Sequence, residues 1–413
     1  MDPILIVVLT SLIGASLLQA WAEMLNLKSL SLTLPGEFVD VFDHETYHTS
    51  QEYTRAKTKL DLMSSSTGLA VLVVFILAGG FPWLDALVRS LGLHPVLTGL
   101  IFLGLLGLTS DLLALPFELY ATFVLEERFG FNRMSLATFV KDKLKGFLLA
   151  LVIGAPCLAG IILFLDAWPV WGWVWAWAGL IAVMIGLQYI APAWILPLFN
   201  TFTPLEEGEL RDKILEYARQ NGAAVRDISV MDGSRRSAKS NAFFTGFGRK
   251  KRIALFDTLI AKHTSDELVA VLAHEIGHWK LKHILKGLVL GIVKMGVLLG
   301  LLSAAVRYEP LFAAFGLEQV SVHAGLVFFL LLYTPLSLVL AMGMNHLSRK
   351  HEYEADVFAA RTTGKPEALI QALKKLSRDN LSNLTPHRLL VFLDYSHPPV
   401  IERVQALRAL KIP

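Results

Sequence analysis

The sequence predicts a mainly α-helical membrane protein with seven transmembrane helices and a soluble α+β domain that is split between two segments. Two observations support this prediction: the hydropathy of the chain and the alternation of its basic residues. Of 413 residues, 54% are hydrophobic and only 18% are charged, whereas a soluble domain has about 25% charged residues. A helix that crosses the bilayer needs roughly 20 apolar residues. Seven runs approach that length, at 4–22, 66–84, 96–117, 146–165, 172–197, 285–305 and 324–344.

The first run has an alternative interpretation as a secretory signal peptide. The residues before it, Met1-Asp2-Pro3, include no basic side chain, and no small-residue cleavage site follows it. A signal peptide normally has both features. We therefore interpret this run as span 1 and number the other runs as spans 2 to 7.

Basic residues mark one side of the membrane. Lys and Arg are frequent in alternate connections, whereas the other connections hold only Arg89 and Arg307. The positive-inside rule then places the N-terminus outside and the C-terminus in the cytosol, and an odd number of spans gives the same result. The basic connections are 23–65, 118–145 and 198–284, together with the tail after 345.

Net charge and cysteine content exclude a nucleic-acid partner and two kinds of cysteine site. The formal net charge of +3 is too small to predict a nucleic-acid partner. The single cysteine, Cys157, excludes a disulfide framework and a zinc site made of cysteines.

The layout divides the chain into four parts. They are spans 1 to 5 with their loops (1–198), a cytosolic part (199–283), spans 6 and 7 (284–345) and a C-terminal cytosolic part (346–413). Because two spans separate the cytosolic parts in sequence, a site that used both would be assembled across the membrane helices.

Local patterns predict the elements of these two parts. The first contains an amphipathic helix at 207–222 and three short strands at 228–231, 241–246 and 252–257. Thr264 and Glu267 then form a capping box, so the next helix begins in a polar setting and runs toward span 6. The C-terminal part contains a helix at 345–361, for which Gly364 is a stop signal, and a last helix at 400–410.

The helix after Thr264 carries His274-Glu275-Ile276-Gly277-His278, an H-E-x-x-H motif. Residues four apart lie on one face of a helix, so both imidazoles can bind one ion. Glu275 lies about 100° round the helix, within reach of a water at that ion. Two nitrogen ligands, a carboxylate base and an open coordination position are typical of a zinc peptidase.

Zinc needs a further protein ligand. A third histidine at 281 or 284 is excluded, because Leu281 and Ile284 stand there. His283 is about 180° round the helix from His274, so we expect it at the membrane interface. A glutamate on a second helix is the other source. Glu352 and Asp356 are four apart on one face and would supply a ligand and a carboxylate behind a zinc histidine; Glu354 points about 200° away, toward solvent.

Each of these features also has an ordinary explanation. An H-E-x-x-H match arises by chance, Glu352 and Asp356 could belong to a charged helix face, and His397 could be a capping or core residue. Together the ordinary explanations require three coincidences on one side of the membrane.

Several further stretches follow in order along the chain, and with them the sequence resembles the Ste24-type CAAX prenyl proteases, integral-membrane members of the M48 zinc peptidases. The resemblance covers nearly the whole chain. The stretches are E-E-R-F-G-F-N at 126–132, P-L-F-N at 197–200, S-N-A-F-F-T-G at 240–246, F-D-T-L at 256–259, E-Y-E-A-D at 352–356 and S-H-P-P at 396–399.

This resemblance implies a seven-helix barrel around an intramembrane chamber, capped by a gluzincin-type α+β peptidase domain that holds one Zn²⁺ ion. It implies His274, His278 and Glu352 as zinc ligands, with Glu275 as general base. The remaining site residues are also carried over from the family.

The resemblance implies that Asp356 is an acid behind the metal, sometimes described as a proton donor. Asn241 would hold the substrate backbone as an added strand. His397 would stabilise the oxyanion, with Arg403 nearby as a supporting substrate-binding residue.

Three functions are compatible with the sequence. The first is an endopeptidase that cleaves membrane-associated or prenylated peptides near their C-terminus. The second is a quality-control protease without prenyl specificity, and the third is a transport or scaffold protein with a vestigial site. The intact motif disfavours the third, and the polar start of the motif helix disfavours a site-2-type intramembrane protease. We expect a monomer in the lipid bilayer that acts on peptides.

The location of the protein follows from weaker signals. The sequence ends at Lys411-Ile412-Pro413 without a dilysine signal, which favours a bacterial inner membrane over the endoplasmic reticulum of a eukaryote. Bacteria are not expected to hold prenylated CAAX proteins, so the natural substrate stays open.

Three ionisable residues, Asp111, Glu118 and Lys294, lie in or near spans 3 and 6. Such residues should face protein or water rather than lipid. We expect either a neutralising Asp111–Lys294 pair or the wall of a hydrated chamber.

Overall fold

Seven long apolar helices dominate the structure, a computed structural model that describes residues 1–223, 225–245 and 251–411. In each of them at most 22% of the most apolar window is buried, so apolar side chains face outward, as lipid contact requires. The number of spans predicted from hydropathy is confirmed within the described residues. The seven helices are Pro3–Ser29, His44–Leu77, Pro95–Arg128, Leu136–Ala167, Gly172–Phe199, His283–Ala305 and Val322–Thr363.

The part between spans 5 and 6 contains an amphipathic helix, Glu209–Gln220, and a four-stranded sheet with the order β1-β2-β4-β3. The parallel pair is β2 with β4, and the other two pairs are antiparallel. The predicted strands correspond to β2, β3 and β4, although Gly246 of the second lies outside the described residues. β1 was missed because three residues that include a proline show no alternation. The strands are β1 Phe202–Pro204, β2 Val225–Met231, β3 Ala242–Thr245 and β4 Lys251–Phe256.

The motif helix, Ser265–Lys280, begins with the predicted capping box. The Thr264 hydroxyl accepts a hydrogen bond from the backbone of Glu267, whose carboxylate accepts one from the Thr264 backbone. The helix packs against the distal half of span 7. A Cβ at Gly277 would lie 3.1 Å from Phe358 and 3.3 Å from the backbone of Ala355, so a glycine lets the two helices approach closely.

The prediction that the motif helix runs straight toward span 6 is wrong. The helix ends at Lys280, and a new helix begins at His283 after a sharp turn. Lys282 has the left-handed φ of 58° at this turn, a conformation that costs a residue with a side chain about 1 kcal/mol or more. The turn places His283 back against the motif helix. This position determines which side chains His283 contacts, as described in the next subsection.

Span 7 continues without a break into the C-terminal part. The predicted separate helix at 345–361 is its distal end, within the 42-residue helix Val322–Thr363. Gly364, with φ 64°, ends the helix as predicted. The three helices that follow are Pro366–Asp379, Arg388–Asp394 and Val400–Arg408.

The basic connections contact residues 199–283 and 346–413 directly. Buried Lys374 lies 3.0 Å from Glu37 and 3.1 Å from Asp40, both in the connection after span 1. Arg236 donates to Asp142 at the start of span 4 over 2.8 Å. The connections that the charge pattern assigns to one side of the membrane therefore lie together with the H-E-x-x-H motif.

The predicted Asp111–Lys294 pair is wrong. The Nζ atom of Lys143 lies 2.8 Å from Asp111 and 2.6 Å from Glu118. Lys143 is in span 4, which packs beside span 3, so it reaches both carboxylates. One lysine thus bridges two acids at this depth, and no pair with span 6 is needed to compensate Asp111.

Candidate metal centre

The two motif histidines direct the same ring nitrogen at a common point. Nε2 of His274 lies 3.0 Å from Nε2 of His278, and the two rings meet nearly edge to face. Their spacing of four residues on the motif helix produces this convergence, as predicted.

Glu352, from the distal part of the span 7 helix, completes the cluster. Its carboxylate oxygens lie 3.2 Å from Nε2 of His278 and 3.4 Å from Nε2 of His274. The side chain is buried, and its Oε2 also lies 3.3 Å from Nη1 of Arg403. A buried carboxylate is costly unless cationic groups compensate it, and a metal ion between the two imidazoles would add to the compensation that Arg403 supplies.

This set of atoms fits a zinc ion. Nitrogen ligands that share a tetrahedral zinc at about 2.0–2.1 Å lie roughly 3.3 Å apart, close to the observed 3.0 Å between the two Nε2 atoms. Two imidazoles and one carboxylate form the ligand set of catalytic zinc sites that keep a position open for water. Within the described residues, His274, His278 and Glu352 form one of two groups with metal-ligand spacing.

Asp356 holds His274 from behind. Its Oδ1 lies 2.8 Å from Nδ1 of His274, so the carboxylate fixes the tautomer that leaves Nε2 free for a metal. Burial by itself would lower the pKa of His274, but the hydrogen bonds to Asp356 and Glu352 raise it to about 9. With no ion bound the imidazolium form of His274 is therefore favoured. A metal ion must displace the proton on Nε2 of this ring.

Arg403 was expected among the substrate-binding residues, and its contacts differ from that expectation. The guanidinium is buried and donates to both oxygens of Asp356, over 2.8 and 2.7 Å. Its Nη1 also lies 3.3 Å from Glu352, and the neighbouring carboxylates raise the pKa of Arg403 against the opposing effect of burial. Arg403 therefore holds the carboxylates of the site in place, and its supporting role toward a substrate stays a prediction.

The same contacts bear on the role of Asp356. A carboxylate that is gripped on both oxygens by a guanidinium stays ionised, so it has no proton to donate. These contacts favour the predicted carboxylate that orients a zinc histidine over the predicted proton donor, and both roles stay predictions.

Glu275 and His397 both have side chains that are at least partly accessible to solvent. Glu275 is half-buried, and among the described residues no hydrogen bond or ion pair engages its carboxylate. The side chain of His397 is 65% exposed, with Nε2 3.4 Å from Glu352 and Nδ1 3.0 Å from Ser396. Both residues are accessible to a water or a peptide at the cluster.

Asn241 directly precedes β3, which lies at the end of the sheet among the described strands. Asn241 is exposed, and its backbone carbonyl accepts a hydrogen bond from Phe256 of β4. β3 also packs against the motif helix. A peptide added along β3 would therefore run beside the metal ligands.

The predictions for His283 and Glu354 are wrong. Instead of facing the membrane interface, His283 is buried, with Nδ1 3.1 Å from Nδ1 of His278. Glu354 lies 2.9 Å from Nε2 of His283 rather than pointing freely into solvent. Sequence reasoning failed here because it continued the motif helix through Lys282, where no glycine or proline indicates a turn.

Comparison with known proteins agrees with this geometry. A family profile described as CAAX prenyl protease N-terminal, five membrane helices, matches residues 23–201, and the profile of peptidase family M48 matches residues 204–411. The chain is 37% identical to CAAX prenyl protease 1 of Saccharomyces cerevisiae, over 91% of this chain and 88% of the yeast protein. It is 35% identical to the CAAX prenyl protease 1 homolog of Arabidopsis thaliana, over 94% of each.

A solved structure is similar along the whole length. The fold matches the crystal structure of S. mikatae Ste24p with a TM-score of 0.91 and 35% identity, covering 98% of this chain and 99% of that one.

Proposed function

The chain belongs to peptidase family M48, in its CAAX prenyl protease 1 branch, and is a membrane-embedded metallopeptidase; we propose that it cleaves membrane-associated or prenylated CAAX-type peptides near their C-terminus with one zinc ion. The names of its relatives suggest this substrate. The observation that carries the proposal is the convergence of two imidazole nitrogens and one buried carboxylate, those of His274, His278 and Glu352.

His274, His278 and Glu352 would hold the zinc ion. When bound, zinc lowers the pKa of a coordinated water and polarises the scissile carbonyl. Asp356 and Arg403 keep His274 and Glu352 in the required orientation through the hydrogen bonds and ion pair described above.

Glu275 is the general base of this proposal. Its free carboxylate takes a proton from the attacking water and delivers it to the amine that leaves. Proton transfer by a positioned side chain contributes about 10²- to 10⁴-fold to the rate. His397, exposed and 3.4 Å from Glu352, donates a hydrogen bond to the oxyanion of the tetrahedral intermediate.

Asn241 and the outer edge of β3, the last strand of the described sheet, hold the substrate backbone as an added strand. Asn241→Ala should therefore raise KM, because one polar contact to the peptide is lost, with a fall in kcat/KM of roughly 2- to 10-fold. Steady-state kinetics of the purified protein measure this effect, with zinc content as the control. An unchanged kcat/KM would remove Asn241 from the substrate site.

The position of the basic connections beside the peptidase part supports a topology in which both lie on the side that the positive-inside rule assigns to the cytosol. We propose an outside N-terminus and a cytosolic catalytic domain, in a bacterial inner membrane or, in a eukaryote, the endoplasmic reticulum. We propose a monomer. This topology is tested with single cysteines placed in each connection and labelled from outside. If a cysteine in the 198–284 segment were labelled in intact cells, the opposite topology would be correct.

The substrate proposal is tested with a pair of peptides that differ only in a farnesyl group on the CAAX cysteine. We expect the wild-type protein to cleave the farnesylated peptide with the higher kcat/KM, because its apolar chain partitions into the bilayer beside the site. Glu275→Gln is the control for contaminating proteases. Equal rates on both peptides would favour a quality-control protease without prenyl specificity.

A further inference from the structure

The second zinc histidine, His278, has a partner of its own on the side away from the metal. Its Nε2 faces Nε2 of His274 and the Glu352 carboxylate, so Nδ1 is the nitrogen left over. That atom lies 3.1 Å from Nδ1 of His283. The other nitrogen of His283, Nε2, lies 2.9 Å from Oε2 of Glu354.

A metal ion on Nε2 of His278 determines which atom donates and which accepts in each of these hydrogen bonds. An imidazole that binds a metal through Nε2 carries its hydrogen on Nδ1. Nδ1 of His278 therefore donates, and Nδ1 of His283 must accept. A neutral His283 then carries its hydrogen on Nε2 and donates it to the Glu354 carboxylate.

We propose that His283 is a positioning residue that fixes the orientation and tautomer of His278, and that Glu354 in turn fixes the tautomer of His283. This inference rests on the zinc site proposed above. His283 and Glu354 would orient His278 in the way that Asp356 orients His274. A partner that holds a ligating histidine in this way typically contributes 10- to 100-fold to metal affinity.

The fold holds the ring of His283 beside His278. The left-handed turn at Lys282 brings the side chain back onto the motif helix. The ring of His351 stacks on the ring of His283, with centroids 4.0 Å apart and planes 8° apart. His283 is buried, so water does not compete easily for its nitrogens.

A second metal ion is the competing interpretation, because His283, His351 and Glu354 themselves have metal-ligand spacing. The hydrogen assignment argues against it. An ion on Nε2 of His283 would leave a hydrogen on Nδ1, pointing at the Nδ1 hydrogen of His278 across 3.1 Å. Two donors facing each other repel, so a second ion would weaken the first.

The test measures zinc affinity of the purified full-length protein in detergent, by competition with a chelator. His283→Phe keeps an aromatic ring against His351 but removes the acceptor, and we expect a 10- to 100-fold loss of affinity. His283→Asn places an amide oxygen near the position of Nδ1 and should recover part of that loss. Glu354→Ala, at a partly exposed position, should lose affinity less severely than His283→Phe.

His351→Phe is the matched control, because it keeps the stacking and touches neither hydrogen bond. We expect its affinity to be unchanged, with one zinc per chain in this variant and in the wild type. Zinc affinity of His283→Phe within about twofold of wild type would overturn the inference. Two zinc ions per wild-type chain that fall to one in His351→Phe would overturn it in favour of a second metal site.

These outcomes are distinct from a failure of the zinc site itself. If the wild-type protein binds no zinc, or binds it equally well without Glu352, the proposed function fails. If zinc binding requires Glu352 but is indifferent to His283, only the positioning role fails.

Discussion

Glu275→Gln is expected to retain zinc and to lose nearly all turnover. Glutamine has the size of glutamate but cannot take a proton from the attacking water, and the loss should be about 10²- to 10⁴-fold in kcat. Glu275 contributes no atom to the metal cluster, so zinc content and the melting temperature should stay near those of the wild type. Single-turnover cleavage of a labelled peptide, with metal analysis of the same sample, measures both quantities.

A result with near-wild-type kcat would assign the general base to another residue. A loss of both zinc and activity would place Glu275 among the ligands. The control is Glu216→Gln, an exposed residue of the amphipathic helix Glu209–Gln220, which should change neither quantity.

Glu352→Gln is expected to lower zinc affinity by more than 100-fold and to abolish cleavage at low zinc concentration. The amide is a weaker ligand than the carboxylate and leaves the buried Arg403 without one of its two negative partners. Chelator competition gives the affinity, and added zinc should restore part of the activity.

Asp356→Asn is the matched comparison for Glu352→Gln. Asp356 stands one helical turn further along and touches His274 rather than the metal. Its loss of affinity should stay within about 10- to 100-fold. If Asp356→Asn proved the more damaging of the two for zinc affinity, Glu352 would not be the third ligand.

The sequence predicted much of this site because helical spacing determines which side chains share a face. His274 with His278, and Glu352 with Asp356, are pairs four residues apart, and helix geometry alone brings each pair together. The capping box at Thr264 could also be predicted, because it depends only on two residues that are three positions apart. The contact between the two pairs was available from the family resemblance but not from spacing.

Features that depend on tertiary packing could not be predicted in this way. The turn at Lys282 has no glycine or proline, so His283 was placed on the wrong face. The bidentate contact between Arg403 and Asp356 joins residues 47 positions apart in sequence, and neither shows a local signal of it. Lys143 reaches Asp111 only because spans 3 and 4 pack side by side.

Anomalous diffraction at the zinc absorption edge from crystals of the full-length protein tests the central claim most directly. We predict one peak per chain, within bonding distance of Nε2 of His274, Nε2 of His278 and the Glu352 carboxylate. Crystals that were grown with zinc and show no peak there, with Glu352 turned away from both imidazoles, would contradict the account.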